Sequence, residues 1–283
     1  MNRRSQPAHV AAILGAALTA VMLSACGGGS TTTAASGKAP AGLLQAGQLS
    51  VCTDPEYPPM EYLENGDTAN PTGFDSDGAR ALGKLWDVKV VFQNTSFDGL
   101  IPALTARRCD ITWSALYVSP ERQEVADGVP FMKTGPGLIV RSGDESIRTA
   151  DDLSGKTVAV QGGGSNELTL KDLSEKFTAA GKPGITIQPY PKTAETVAAV
   201  TNGKADALIE TDVAVVDMVG KSGGKLVSKP GIFPAETQFG VFTRKGSELT
   251  QPVTAGIKQL ISDGTLPDLA KKYGLDPSRL VSP

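Results

Sequence analysis

Histidine is almost missing from this sequence: His9 is the only one in 283 residues. It stands in the N-terminal stretch, ahead of everything that reads as a folded body. That body therefore has no histidine for a Ser-His-Asp triad and no histidine ligand for zinc. Cysteine is nearly as scarce, at Cys26, Cys52 and Cys109. The two in the body are too few to hold a metal cluster alone. They form either a disulfide in an oxidising compartment or a pair of buried thiols, and nothing in the chain calls for a cofactor. Past the N-terminus no apolar run approaches the length of a transmembrane helix. Basic charge is not in excess either, with 27 Lys+Arg against 30 Asp+Glu, which speaks against nucleic acid as a partner.

The N-terminus carries "MNRR", then the apolar, alanine-rich "VAAILGAALTAVML", then small residues before Cys26. This is the layout of a secretory signal over residues 1–25. Arg3 and Arg4 read as its ordinary basic start rather than as a twin-arginine export signal. The box Leu23-Ser24-Ala25-Cys26 resembles the lipobox of bacterial lipoproteins, which implies that Cys26 becomes the lipidated first residue. Removing Arg3 and Arg4 with the signal leaves 27 − 2 = 25 basic against 30 acidic residues, a net of −5. Residues 26–42 are small, polar and aperiodic and read as a flexible tether. The expectation is an extracytoplasmic body lipid-anchored to the cell membrane.

The body alternates short β-type runs with helical patterns. "LSVCTD" reads as a strand ending at Asp54, and "FDSDGARALGKLW" as a helix with apolar positions Ala79, Leu82, Leu85 and Trp86. "VKVVFQ" is a strand, "SFDGLIPALTARR" a helix capped by Ser96 or Asp98, and "CDITWSAL" a strand. A second such series follows: "SIRTADDLSG" as a capped helix, the strand "KTVAVQ", a helix closed by Gly181, the strand "ITIQPYP", and a helix–turn–strand ending near Asp212. The strand "QFGVFTRKG" and a helical tail complete the chain. This alternation predicts two α/β lobes with ligand chemistry at the carboxyl ends of strands, in the crevice between them.

Four stretches carry candidate chemistry. In "DPEYPPMEY", Asp54 closes a strand and Pro55, Pro58 and Pro59 stiffen the loop that holds Tyr57; the alternative is an ordinary surface turn. In "SFDGL", Phe97 stands at a helix entry, either for a ligand or for the core. In "SALYVSPERQ", Arg122 is either a solvated charge or a bidentate clamp for a carboxylate. In "VQGGGSNE", the glycine-rich turn through Gly164 into Ser165 offers successive N–H groups to a small anion. It lacks the lysine of a phosphate loop and the spacing of a dinucleotide fingerprint.

All four occur in one order, and in that order the body from Leu43 to about Leu275 resembles the solute-binding proteins of polar amino-acid ABC importers, bacterial family 3. The resemblance runs through "VCTDPEYPPMEY", "SFDGLIPALTARRCDITWSALYVSPERQ", "LSGKTVAVQGGGSNE", "NGKADALIETD" and "ISDGTLPDLAKKYGL". It implies a type II periplasmic-binding-protein clamshell, each lobe a central, mostly parallel sheet flanked by helices, joined by a two-strand hinge. Lobe one would comprise 43–134 plus 238–283 and lobe two 135–237, with crossings near Lys133–Gly137 and Ala235–Gly240. It further implies that a monomer binds a small carboxylate or amino-acid-like ligand and meets an ABC permease in the membrane. Arg122 would clamp the ligand's carboxylate, completed by Ser165 and the turn at Gly164. Tyr57 and Phe97 would flank the side chain, and Asp54 would meet its distal end.

The chain departs from the family pattern around the ligand's ammonium group. Where small hydroxyl residues or glycine usually precede the arginine stand Ala115 and Tyr117, and where lobe two usually supplies an aspartate stands Thr211. Asp212 is one place later and, by strand alternation, points away unless the chain bulges. The expectation is a ligand lacking a free α-amino group, or an unusual amino acid whose ammonium pairs with Asp54 or Asp212. Two other functions stay open: a cyclohexadienyl-dehydratase-like enzyme using Glu61 or Asp54 as its acid, and a sensing module for a membrane receptor.

Overall fold

The computed structural model describes residues 39–233 and 237–283. The signal, Cys26 and the tether up to residue 38 lie outside the described residues, as does Ala235 of the second expected crossing.

The body opens with β1 (Gln48–Thr53), the short pair β2 (Glu56–Tyr57) and β3 (Glu61–Tyr62), helix α1 (Phe74–Leu85) and β4 (Lys89–Asn94). A 3-10 turn at Phe97–Gly99 leads into α2 (Leu100–Thr105), β5 (Ile111–Tyr117), α3 (Pro120–Val125) and β6 (Ala126–Thr134). The long helix expected over "SFDGLIPALTARR" is thus shorter. Pro102 has no N–H to give and belongs in a first turn, so the α-helix begins just before it. Neither Ser96 nor Asp98 caps that helix; the Ser96 hydroxyl donates to the Asp98 carboxylate at 2.6 Å instead.

After β6 come β7 (Pro136–Arg141), β8 (Thr157–Gln161), α4 (Ser165–Ala179), β9 (Thr186–Tyr190), α5 (Thr193–Thr201), β10 (Ala207–Thr211), α6 (Asp212–Lys221) and β11 (Leu226–Lys229). The chain then returns through β12 (Thr237–Arg244), α7 (Thr250–Ser262) and α8 (Thr265–Lys272). The stretch expected as a capped helix over "SIRTADDLSG" is a 3-10 turn, Ala150–Leu153, with a Thr149/Asp152 capping box.

Two five-stranded sheets result, ordered β4-β1-β5-β12-β6 and β11-β7-β10-β8-β9. In each, four strands run in one direction and a single strand, β12 in the first and β7 in the second, runs against them. β5 is buried at all seven positions, as a strand covered on both faces must be. Each sheet has its own core: Leu49, Ile111, Trp113 and Phe131 in the first, Leu138, Val158, Leu170 and Ile209 in the second. The chain passes between sheets where β6 ends at Thr134 and β7 begins at Pro136, and again before β12. Cys52 and Cys109, left open as disulfide or free thiols, are joined, with Cα atoms 5.7 Å apart. The bond ties β1 to the turn before β5, among Leu100, Leu104, Leu116 and Phe242.

Candidate functional site

Both sheets present the carboxyl ends of their central strands to one small cavity of about 30 Å³. The first sheet and the elements attached to it contribute Tyr57, Phe97, Ala115, Tyr117 and Arg122; the second sheet and its helices contribute Val160, Gln161, Gly164, Ser165, Asn166, Glu210 and Thr211. This is where open α/β sheets bind ligands.

Arg122 is aimed by the motif around it. Ser119 is the N-cap of α3 and accepts from the Arg122 N–H at 3.4 Å, while Pro120 occupies the first helical position, where its missing N–H and fixed φ suit the helix. The guanidinium Nη1 donates to the Tyr117 carbonyl at 3.0 Å and to Ser165 Oγ at 3.3 Å. Its carbon lies 5.7 Å from the centre of the Phe97 ring. Burial lowers its pKa to about 10. No acidic side chain among the described residues forms an ion pair with it, so most of a five-donor fork is open to an anion. Gly164 is the N-cap of α4 and Ser165 its first residue, which directs the helix's unpaired N–H groups to the same place.

Ala115 takes a left-handed backbone conformation (φ 44°), a geometry that disfavours a Cβ by roughly 1–2 kcal/mol. What holds it is behind the cavity: its N–H donates to Asp75 Oδ2 at 2.7 Å. Next to it, the Ser114 hydroxyl donates to Glu61 Oε1 at 2.8 Å and accepts from the Asp54 N–H at 2.9 Å. Burial pushes Asp75 up to about 7, and burial together with the Asp75 charge pushes Glu61 well above the usual carboxylate range.

The opposite wall belongs to Glu210. It is 5% exposed, and its Oε1 accepts from the Tyr57 hydroxyl at 2.7 Å and from the Thr211 N–H at 2.8 Å. Burial pushes its pKa up to about 7, against the pull of those two bonds. Thr211 is the N-cap of α6, accepts from the Ala214 N–H at 3.4 Å, and also hydrogen-bonds Tyr57. Tyr117 Oη and Asn166 Oδ1 line the cavity and are buried with no partner among the described residues.

The cavity therefore gathers Tyr57, Phe97, Ala115, Tyr117, Arg122, Gly164, Ser165 and Thr211, and it leaves out two expected residues. Asp54 stands beside the lining rather than in it. Burial and Glu56 raise its pKa to about 6, while Lys192, the Phe97 N–H and the Gln161 side chain hold it back. Asp212, expected to point away unless the chain bulged there, does not line the cavity. Its carboxylate accepts from Thr134 Oγ1 at 2.8 Å and pairs with Arg279 at 2.6 Å, so it is consumed between the sheets and faces surface grooves instead. Asp212 stands past the end of β10, as the first residue of α6, where the helical turn carries its side chain out of the crevice. Glu61, named as a possible catalytic acid, is buried behind Ser114 and does not line the cavity either. Glu210, Gln161 and Asn166 were not anticipated. The available signal was an acid closing the otherwise apolar run "ALIET".

Residues 49–276 match the family described as bacterial extracellular solute-binding proteins, family 3. The L-cystine-binding protein TcyJ of Escherichia coli K12 is 30% identical over 239 residues, covering 83% of this chain and 86% of that one. The arginine-binding extracellular protein ArtP of Bacillus subtilis 168 is 31% identical over 263 residues, covering 92% and 96%. Among solved structures, the ancestral amino acid-binding protein AncCDT-1, a precursor of cyclohexadienyl dehydratase, superposes with a TM-score of 0.71 at 31% identity, covering 80% of this chain and 95% of that one. On sequence and on fold alike, this chain belongs to the bacterial extracellular solute-binding proteins, family 3.

Proposed function

We propose that the protein captures an amino acid or related small carboxylate between its two lobes and delivers it to the permease of an ABC importer. The observation that carries the reading is Arg122, whose guanidinium enters a cavity shared by both sheets and meets there a helix N-terminus but no acidic partner. A carboxylate is the planar, bidentate guest such a fork fits. The lobes would be 43–134 with 238–283 and 135–237. They would part and close about the crossings at Thr134–Pro136 and before β12, the ligand shifting a pre-existing equilibrium. The protein would act as a monomer held at the outer face of the membrane by lipid on Cys26. Binding of arginine or cystine by relatives supports an amino-acid ligand without choosing one.

A thermal-shift panel of amino acids and small carboxylates tests this. A ligand at about 100 times its Kd adds roughly 2.7 kcal/mol, which for a body of this size raises Tm by about 5–10 °C. At least one compound is expected to do so in the wild type and to do nothing in Arg122→Met. A panel without any shift, or shifts that survive in Arg122→Met, refutes the reading. For the enzymatic alternative, prephenate loss followed by absorbance is expected to show no turnover.

A further inference from the structure

Glu61 and Asp75 are buried side by side behind the cavity, and neither lines the space a solute would fill. We propose that they are positioning residues for the solute cavity, acting as one carboxyl–carboxylate pair that shares a proton and holds Ser114 and Ala115 of β5 in place. This rests on the reading of the cavity as the solute site.

The backbone brings the two together. The Phe74 and Asp75 N–H groups donate to the Pro59 and Met60 carbonyls at 3.1 and 2.8 Å, which seats the first turn of α1 on the chain leading into β3. Gly73 makes that approach possible. At φ 122° it takes a conformation other residues avoid, and a Cβ there would collide with the Met60 carbonyl. Glu61 of β3 and Asp75 of α1 thereby face each other within hydrogen-bond reach. Each commits one oxygen to β5: Glu61 Oε1 accepts from the Ser114 hydroxyl at 2.8 Å, and Asp75 Oδ2 from the Ala115 N–H at 2.7 Å. The other two oxygens, Glu61 Oε2 and Asp75 Oδ1, are buried with no partner among the described residues.

An ionised carboxylate only accepts, so two of them would leave both oxygens orphaned and would repel. One proton on Glu61 Oε2, donated to Asp75 Oδ1, satisfies both at once. Glu61 is the member that keeps it. Asp75 receives the Ala115 N–H and faces the Trp113 indole, whereas Glu61 has only a hydroxyl and lies near the Asp75 and Asp54 charges. No cation offsets the pair: neither residue forms an ion pair among the described residues, and Asp77, farther along α1, is turned to Arg80, Lys272 and Tyr273. What the pair holds is the strained point of the cavity wall. Asp75 takes the N–H of Ala115 in its left-handed conformation, and Ser114 extends the hold to the Asp54 N–H at 2.9 Å. From there β5 runs on to Tyr117, whose carbonyl receives Arg122.

The test has a spectroscopic arm and a binding arm. Infrared difference spectra of the ligand-free protein at pH 7, in water and in heavy water, should contain a protonated-carboxyl C=O band in the wild type. That band should be missing from Glu61→Gln and shifted or lost in Asp75→Asn, which has no charged acceptor to share with. Calorimetry then uses the compound of the amino-acid and small-carboxylate panel that raises the wild-type Tm most. Glu61→Leu, shown to be folded by circular dichroism, should bind it about tenfold more weakly or worse. Glu61→Gln, whose amide donates to Asp75 Oδ1 and accepts from Ser114, should recover the affinity to within about threefold of wild type. A merely structural role would lower the Tm of Glu61→Leu and leave the affinity of the folded protein alone. Affinity in Glu61→Leu within about threefold of wild type, no recovery in Glu61→Gln, or a carboxyl band untouched by both polar variants overturns the proposal while the solute site stands. If no compound binds the wild type, the solute reading and this one fall together. Should Glu61→Leu not fold, the infrared band decides alone.

Discussion

Removing one oxygen atom at Tyr57 should open the protein. Tyr57 rides on the short β2, which pairs with β3 beside the first sheet, yet its hydroxyl bonds Glu210 and Thr211 at the end of the second sheet's β10. Tyr57→Phe keeps the ring and deletes the bridge. A hydrogen bond to a charged group contributes about 1.5–3 kcal/mol, which is about 10- to 150-fold in the equilibrium between closed and open forms. Lys192→Met is the natural control, because Lys192 and Glu56 also bridge the two sheets, but with side chains 55% and 38% exposed. An exposed pair contributes about 0–1 kcal/mol, or at most about fivefold. Calorimetry on whichever solute binds should therefore show a large loss of affinity in Tyr57→Phe and a small one in Lys192→Met. Small-angle scattering of the ligand-free proteins should show expansion in the first variant only. A Tyr57→Phe affinity within about threefold of wild type, or a larger loss in Lys192→Met, would refute the reasoning from burial.

Two further outcomes follow from the same structure. The Cys52–Cys109 bond spans a sequence separation of 57, and closing a loop of that length stabilises by about 4 kcal/mol on the chain-entropy account. A double serine variant should therefore melt about 8–16 °C lower, and a change under about 3 °C would show the loop to be constrained by other contacts. Stability of the ligand-free protein should fall between pH 5 and pH 8. Burial raises Asp54 to about 6 and both Asp75 and Glu210 to about 7. The folded state thus holds protons the unfolded chain has released, and loses that advantage as pH climbs through 6 to 7. Glu210 alone, moving from 4.5 to about 7, is on the order of 3 kcal/mol. Asp77 adds no slope there: bonds from Lys272 and Tyr273 outweigh its burial, and it stays ionised. Urea titrations at both pH values check this, and a flat or rising profile contradicts it.

Much of this arrangement was legible before any coordinates. Arg122 became legible only through the family resemblance; its own neighbours left open whether it was a solvated charge, and the Ser119 cap and Pro120 that aim it are seen in the structure. Asp212 was expected to point away by strand alternation, and it does lie outside the cavity, but as the first residue of α6 rather than as a strand residue. Glu210 was not legible. At Thr211 the strand gives way directly to α6, and alternation no longer governs which side chains reach the crevice, so that Glu210 and Thr211 both line it. The disulfide was equally out of reach. Its 5.7 Å Cα separation exists only because β1 lies beside β5 in the finished sheet, with Cys52 opposite Thr112. Spacing along the chain carries no trace of that neighbourhood. The length of α2 fell between these cases: Pro102 was visible, but its power to set the helix start competed with an unbroken apolar pattern.

The place of β12 dictates an order of assembly. It lies between β5 and β6, and among the described residues β6 has no other ladder partner; Met132 adds only an isolated bridge to Leu280. Every strand pairing of β6 within the first sheet therefore comes from β12, Thr237 onward. The second sheet, by contrast, is written in one uninterrupted stretch from β7 to β11. A chain delivered N-terminus first has all the strands of its second sheet in hand while the first is still missing its fourth. The unit begun earliest is finished last, and until β12 arrives the edge of β5 stands unpaired, open to any other strand that would add to it.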